Sequence, residues 1–187
     1  MGSAKQLLPW GNTTVLGQTL HNLQQSAVGD ILVVTGYKAK AVAAIAAAHA
    51  IPVVHNPDYD RGEMLSSLQV AVRQLPAGCA AALAVLADQP MVGPEIINQL
   101  LRAFAEGGHN LIAPTYRGQR GNPVLIGRPY FDELLALPWG QAPRVLLQRH
   151  QADLHLVPVG SDAILRDLDR PEEYNRYRPH VADEKEA

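Results

Sequence analysis

Asp30-Ile31-Leu32-Val33-Val34-Thr35-Gly36 is a continuous apolar run closed by glycine, the pattern of a strand buried on both faces of a parallel sheet. The alanine-rich stretch 38–49 that follows is a strong helix former, and Ile51-Pro52-Val53-Val54-His55 reads as a second short strand. After it, Asn56-Pro57-Asp58-Tyr59-Asp60-Arg61-Gly62 is dense in turn formers.

The same alternation continues in both directions. Upstream, residues 13–28 carry Val15, Leu16, Leu20 and Leu23 at helical spacing, with Thr13 or Thr14 available as N-cap. Downstream, the pattern predicts a helix over about 63–75, a strand over 80–87, and a helix opened by Pro94 and closed near Gly107-Gly108. Residues 111–114 and 124–126 look like paired strands around the polar loop 115–123. Two helical pieces, about 129–137 and 142–150, precede a strand over 154–159, a short strand at Ile164-Leu165 and a last helix after Asp169. Alternating strands and helices place the chain in the α/β class, with a mostly parallel sheet flanked by helices. No internal repeat or linker interrupts it, so residues 1–177 are expected to form one domain and the polar residues 178–187 a frayed tail.

Composition narrows the function. The 187 residues are 47% hydrophobic and 18% charged, with a formal net charge of -2. That is an ordinary globular composition, without the basic excess of a protein bound mainly to nucleic-acid phosphates. The longest apolar stretches, 39–48 and 79–87, fall short of the ~20 residues that cross a bilayer. The N-terminus lacks the apolar stretch of a secretory signal, and the lone Cys79 builds no disulfide framework; a cytoplasmic, reducing location is the expectation. Cys79 has no neighbouring base and reads as a buried inert thiol, the histidines lack zinc-ligand spacing, and no Gly-x-Ser-x-Gly elbow appears.

Ligands of such sheets bind beyond the carboxyl ends of the strands. Asp88 lies there, after Ala84-Val85-Leu86-Ala87 and before Gln89-Pro90. Its carboxylate suits Mg²⁺, which takes one or two carboxylates together with substrate phosphates and water. Asp167 or Asp169, on one side of an extended segment, is a candidate second ligand. Equally, Asp88 reads as a turn former, and Asp169 as an N-cap with Glu172 at the third helical position. Gly62, Ser66 and Ser67 open a helix whose first turn holds a base or a phosphate, or is merely capped. The loop Tyr116-Arg117-Gly118-Gln119-Arg120-Gly121-Asn122-Pro123 combines two guanidiniums with glycines that admit a ligand to the backbone. A solvated hairpin tip is its other reading.

Seven segments, in order over nearly the whole chain, resemble the molybdenum cofactor cytidylyltransferase family within the MobA-like nucleotidyltransferase superfamily. They are Met1-Gly2-Ser3-Ala4-Lys5-Gln6-Leu7-Leu8-Pro9-Trp10, Val34-Thr35-Gly36-Tyr37, His55-Asn56-Pro57-Asp58-Tyr59, Gly62-Glu63-Met64-Leu65-Ser66-Ser67-Leu68, Ala87-Asp88-Gln89-Pro90, Arg120-Gly121-Asn122-Pro123-Val124-Leu125 and Asp167-Leu168-Asp169-Arg170-Pro171-Glu172-Glu173-Tyr174. The resemblance implies a Rossmann-like nucleotidyltransferase fold and transfer of CMP from CTP to the terminal phosphate of molybdopterin-bound molybdenum, the molybdenum cofactor, with release of pyrophosphate. It implies that Lys5 holds the triphosphate and is catalytic with Asp88, that Asp88 with Asp169 or Asp167 binds Mg²⁺, that Asn56, Gly62, Ser66 and Ser67 line the nucleotide, and that Arg120, Gly121, Asn122 and Pro123 face the pterin. The implied partners are CTP, the molybdopterin substrate and a recipient molybdoenzyme or its chaperone, with no nucleic acid and no membrane. The same chemistry with GTP or another acceptor, and a non-catalytic cofactor-binding chaperone, are the alternatives.

Three departures stand out. Family members carry a strand and the loop L-A-A-G-x-S-x-R before M-G-x-x-K, whereas this sequence starts at Met1-Gly2-Ser3-Ala4-Lys5; the expectation is an N-terminal truncation that leaves two neighbouring strands unpaired and apolar surface exposed. Asn122 stands where many relatives have His, and Arg170 replaces the usual Thr.

Overall fold

A computed structural model describes residues 4–61 and 63–179. Of the expected tail only Arg178 and Pro179 fall within them, and Gly62 lies outside. The chain opens with a 3-10 turn, Lys5–Leu7, and a short hairpin of β1 (Pro9–Trp10) and β2 (Thr13–Thr14). Next come α1 (Val15–Gln24), β3 (Val33–Thr35), α2 (Ala39–Ala48), β4 (Val53–His55), α3 (Glu63–Gln74), β5 (Ala81–Ala84) and α4 (Pro94–Ala105). The second half holds β6 (Leu111–Tyr116), β7 (Gln119–Arg120), β8 (Val124–Gly127), α5 (Phe131–Ala136), α6 (Arg144–Arg149), β9 (Leu154–Pro158) and α7 (Pro171–Tyr177).

The fold is α/β and Rossmann-like, as expected. β3 and β4 pair in parallel. β8 lies antiparallel between β5 and β6, and β9 runs parallel to β6. β5, β6 and β9 therefore point the same way, so the segments after β5 and β9 leave the sheet at one edge. Along β6, successive side chains enter opposite faces. Leu111, with Ile126 of β8, packs into a cluster with Leu65 of α3, Leu134 of α5 and Leu146 of α6; Ile112, with Leu125, packs on Leu100 of α4. Each such fully buried leucine contributes roughly 1.5–3 kcal/mol.

Sequence signals explain the boundaries. Thr14, not Thr13, caps α1, accepting from the Gly17 N–H at 3.0 Å, and Pro94 occupies the first turn of α4. α2 ends in a Schellman turn: Ile51 N–H donates to Ala46 O at 2.9 Å and Ala50 N–H to Ala47 O at 3.0 Å. Ala50 takes the left-handed position there, at φ 55°.

Five local expectations are corrected. β3 is half-buried rather than buried on both faces, because among the described residues it has a strand partner, β4, on one side only. β5 is likewise half-buried along its length and, among the described residues, pairs only with β8. Ile164-Leu165 lies in a 3-10 turn, Asp162–Leu165, which Ser161 caps by accepting from Ala163 N–H at 3.2 Å. The cap of α7 is Arg170, whose N–H donates to Glu173 Oε2 at 2.9 Å, so neither Asp169 nor Glu172 forms the capping box. Cys79 is half-buried rather than buried, its thiol against Ala81 O at 3.2 Å.

Candidate active site

Residues 167–169 run extended beyond β9, with Leu168 fully buried and Asp167 and Asp169 exposed on either side of it. Leu168 packs against Trp10 and Val15, with Leu8 and Tyr174 beside them. The Tyr174 hydroxyl donates to Pro9 O at 2.5 Å. One small cluster thus ties the β1–β2 hairpin to the start of α7, and Lys5, at the base of that hairpin, meets Asp169. Their side chains hydrogen-bond, ammonium to Oδ1.

Asp88 reaches the same ammonium from the loop after β5, its Oδ2 lying 3.6 Å from Lys5 Nζ. Two buried amides shape that loop. Asn22 on α1 donates to Pro90 O at 2.9 Å and Val92 O at 3.0 Å. Gln89, 2% exposed, donates to Asp167 Oδ1 at 2.6 Å. Neither amide was singled out in the sequence, because each acts on a partner some 70 residues away: 68 and 70 for Asn22, 78 for Gln89.

The electrostatics follow from this crowding. Burial lifts the Asp88 carboxyl above the ordinary carboxylate value, Lys5 opposes the rise, and the charges of Asp167 and Asp169 add to it. For Lys5, burial pulls the ammonium down, but the hydrogen bond to Asp169 and the neighbouring negative charges outweigh burial and hold it above the ordinary lysine value. Among the described residues no three or more His, Cys, Asp or Glu side chains gather as a metal cage. The carboxylates that share the Lys5 ammonium are Asp88 and Asp169, while Asp167 is engaged by Gln89.

A second cluster forms where β4 meets α3. Asn56 is 1% exposed; its amide donates to Ser66 Oγ at 2.8 Å and Ser67 Oγ at 2.9 Å, and its Oδ1 accepts from Asp58 N–H at 3.0 Å. Asn56 thus works from beneath, holding the two hydroxyls at the opening of α3. Farther along α3, Gln69, 1% exposed, donates to Leu134 O at 3.0 Å and Leu137 O at 2.9 Å, and its Oε1 accepts from the Trp139 indole at 3.1 Å. Trp139 itself is 51% exposed.

The 115–123 loop is a hairpin tip. Thr115 pairs with Arg120 and Tyr116 with Gln119, and Arg117 and Gly118 turn at φ 49° and 79°, a two-residue turn of the mirror-image kind. Arg120 is exposed. Gly121 does not leave its space to a ligand: a Cβ there would meet Ile164, 2.7 Å from its Cβ and carbonyl carbon. Asn122 N–H donates to Ile164 O at 3.1 Å, which couples this loop to the turn that precedes Asp167.

A family profile described as MobA-like NTP transferase domain matches residues 1–154. The molybdenum cofactor cytidylyltransferase of Escherichia coli (strain K12) is 27% identical over 178 residues, 93% of this chain and 86% of that protein. The crystal structure of Rv0371c from Mycobacterium tuberculosis H37Rv superposes with a TM-score of 0.82 at 28% identity, covering 94% of this chain and 89% of the other. The structure of Rv0371c in complex with manganese gives a TM-score of 0.78 at 26% identity, over 94% and 91%.

Proposed function

Since the chain belongs to the MobA-like NTP transferase domain family and is a nucleotidyltransferase, we propose that its reaction is transfer of CMP from CTP to the terminal phosphate of molybdenum cofactor, releasing pyrophosphate. The observation that carries the reading is a single cation, the Lys5 ammonium near the start of the chain, held between Asp88 from its middle and Asp169 from near its end. The name of the Escherichia coli relative supports the choice of cytidylyl donor and cofactor acceptor.

Enzymes of this fold use divalent metal ions, and the mycobacterial relative was crystallised with manganese. The donor set here fits such an ion. Two carboxylates already share a positive charge at the strand edge, and phosphate oxygens and water supply the remaining ligands of Mg²⁺. Asp88 and Asp169 would hold it, and when bound it neutralises charge developing on the α-phosphate and the leaving pyrophosphate.

The rest is positioning. Lys5 presents its ammonium to the triphosphate. Ser66 and Ser67, fixed by Asn56, lie along the nucleotide with Gly62, and the Arg120–Gly121–Asn122–Pro123 loop faces the acceptor, Arg120 offering its guanidinium to anionic groups. An acceptor phosphate oxygen bonds to the α-phosphorus of CTP as the bond to the β-phosphate oxygen breaks, and no covalent enzyme intermediate is needed. The test is pyrophosphate release by the purified protein with molybdenum cofactor and each nucleotide. CTP-dependent release that Asp88→Asn abolishes is expected; release with GTP alone transfers the assignment to guanylyl chemistry, and no release with any nucleotide rejects it.

A further inference from the structure

Lys5 is not free to grip a phosphate while it sits where it does. Its ammonium bonds Asp169 Oδ1 and lies 3.6 Å from Asp88 Oδ2, and the side chains of Lys5 and Asp88 are only 26% and 29% exposed. Among the described residues no other basic side chain pairs with either aspartate. A divalent ion shared by Asp88 and Asp169 needs the same oxygens, and two cations cannot sit side by side in so small a space without strong repulsion. The backbone of Lys5 stays put in either case, because the 3-10 turn closes through Leu8 N–H to Lys5 O at 3.0 Å and Leu7 and Leu8 pack into the core. Only the flexible four-carbon stem can move.

We propose that Lys5 is the resident counter-ion of the metal site, and that metal and ammonium alternate there. Entry of the divalent ion expels the ammonium from the two aspartates, and the freed ammonium, tethered at the cleft, becomes available to the triphosphate. Metal and nucleotide therefore favour each other's binding, reciprocally, through one lysine. The inference rests on the reading of Asp88 and Asp169 as the metal pair.

The test uses Mn²⁺ alone, with binding followed by the paramagnetic resonance of the free ion. Lys5→Gln is expected to bind Mn²⁺ more tightly than wild type by about tenfold or more, the size of an ordinary coupling between sites. A lysine whose ammonium did not occupy the two aspartates would change Mn²⁺ affinity by far less when removed. Affinity unchanged or weakened in Lys5→Gln but lost in Asp88→Asn overturns the alternation and leaves the metal pair standing; affinity unchanged in both variants overturns the metal pair as well. A second measurement needs no variant. Acetylation of wild-type lysines, read by mass spectrometry, is expected to label Lys5 faster at saturating Mg²⁺ than without it, relative to Lys38 and Lys40. Equal labelling of Lys5 in both conditions overturns the proposal.

Discussion

The side-chain amide of Gln89 donates to Asp167 Oδ1 at 2.6 Å, joining the loop after β5 to the segment after β9. Asp88 precedes one partner and Asp169 follows the other, so this bond sets the spacing of the two carboxylates that flank Lys5. Gln89→Leu is expected to weaken Mn²⁺ binding several-fold while costing only about 1 kcal/mol of stability, since Asp167 stays hydrated. Gln89→Glu, which sets a second negative charge against Asp167, is expected to be worse. Calorimetric titration of both variants checks the order; equal affinities would remove Gln89 from the site.

The amide of Gln69 serves carbonyls at the end of α5 and holds the Trp139 indole. Gln69→Leu leaves those buried carbonyls without a donor, at a cost of about 2–3 kcal/mol, or a melting temperature lower by about 5–10 °C in a chain of this length. It also releases the indole, so acrylamide is expected to quench Trp139 more readily. Trp10, 5% exposed, serves as the internal reference.

Ala50 holds a left-handed conformation at φ 55° in the Schellman turn after α2, where glycine is the usual residue. Ala50→Gly relieves steric strain, offset by a smaller cost from the greater conformational entropy that glycine gives the unfolded chain. A gain of about 0.5–1 kcal/mol is expected in urea unfolding; a loss would show that Ala50 packs in a way its backbone conceals.

Glu133 accepts from His150 Nε2 at 2.6 Å and from Arg149 at 3.1 Å. The His150 hydrogen bond, opposed by desolvation and helped by Arg149, holds its carboxyl below the ordinary value. A folded pKa below the unfolded one means that this contribution is complete above the unfolded value of about 4.3 and is lost as pH falls through the folded value. Glu133→Gln should therefore show a shallower loss of stability on acidification than wild type, with the two curves differing most at neutral pH. Parallel curves over that range would refute the assignment.

Much of the fold was legible because its signals are local. The glycine-ended apolar run, the first-turn proline of α4 and the 3.6-residue spacing of α1 each act within one element, and the alternation of elements gave the class. The meeting of charged residues was partly foreseen: Asp88 stood out by type and by position after a strand, Asp169 by type, and Lys5 only through the family resemblance. Its supports were not, because Asn22, Gln69 and Gln89 act on partners far along the chain. The limit is plainest in a tetrapeptide that occurs twice. Leu-Pro-Trp-Gly at 8–11 buries its tryptophan to 5% exposure, and the same four residues at 137–140 leave theirs 51% exposed. Identical local sequence meets different neighbours, and only the tertiary packing decides. The shift of the α7 cap from Asp169 to Arg170 has the same origin: the buried Leu168 fixes which residues turn outward.

β6 is flanked by β8 and β9 and buried over its first four residues, whereas β3 is covered along one margin. Strand alternation points the Val34 amide away from β4. In deuterated buffer the protein should accordingly exchange in two tiers. The protons of Ile112 and its neighbours would persist until global opening, while that of Val34, which meets no strand partner among the described residues, is surrendered to solvent with the fold intact.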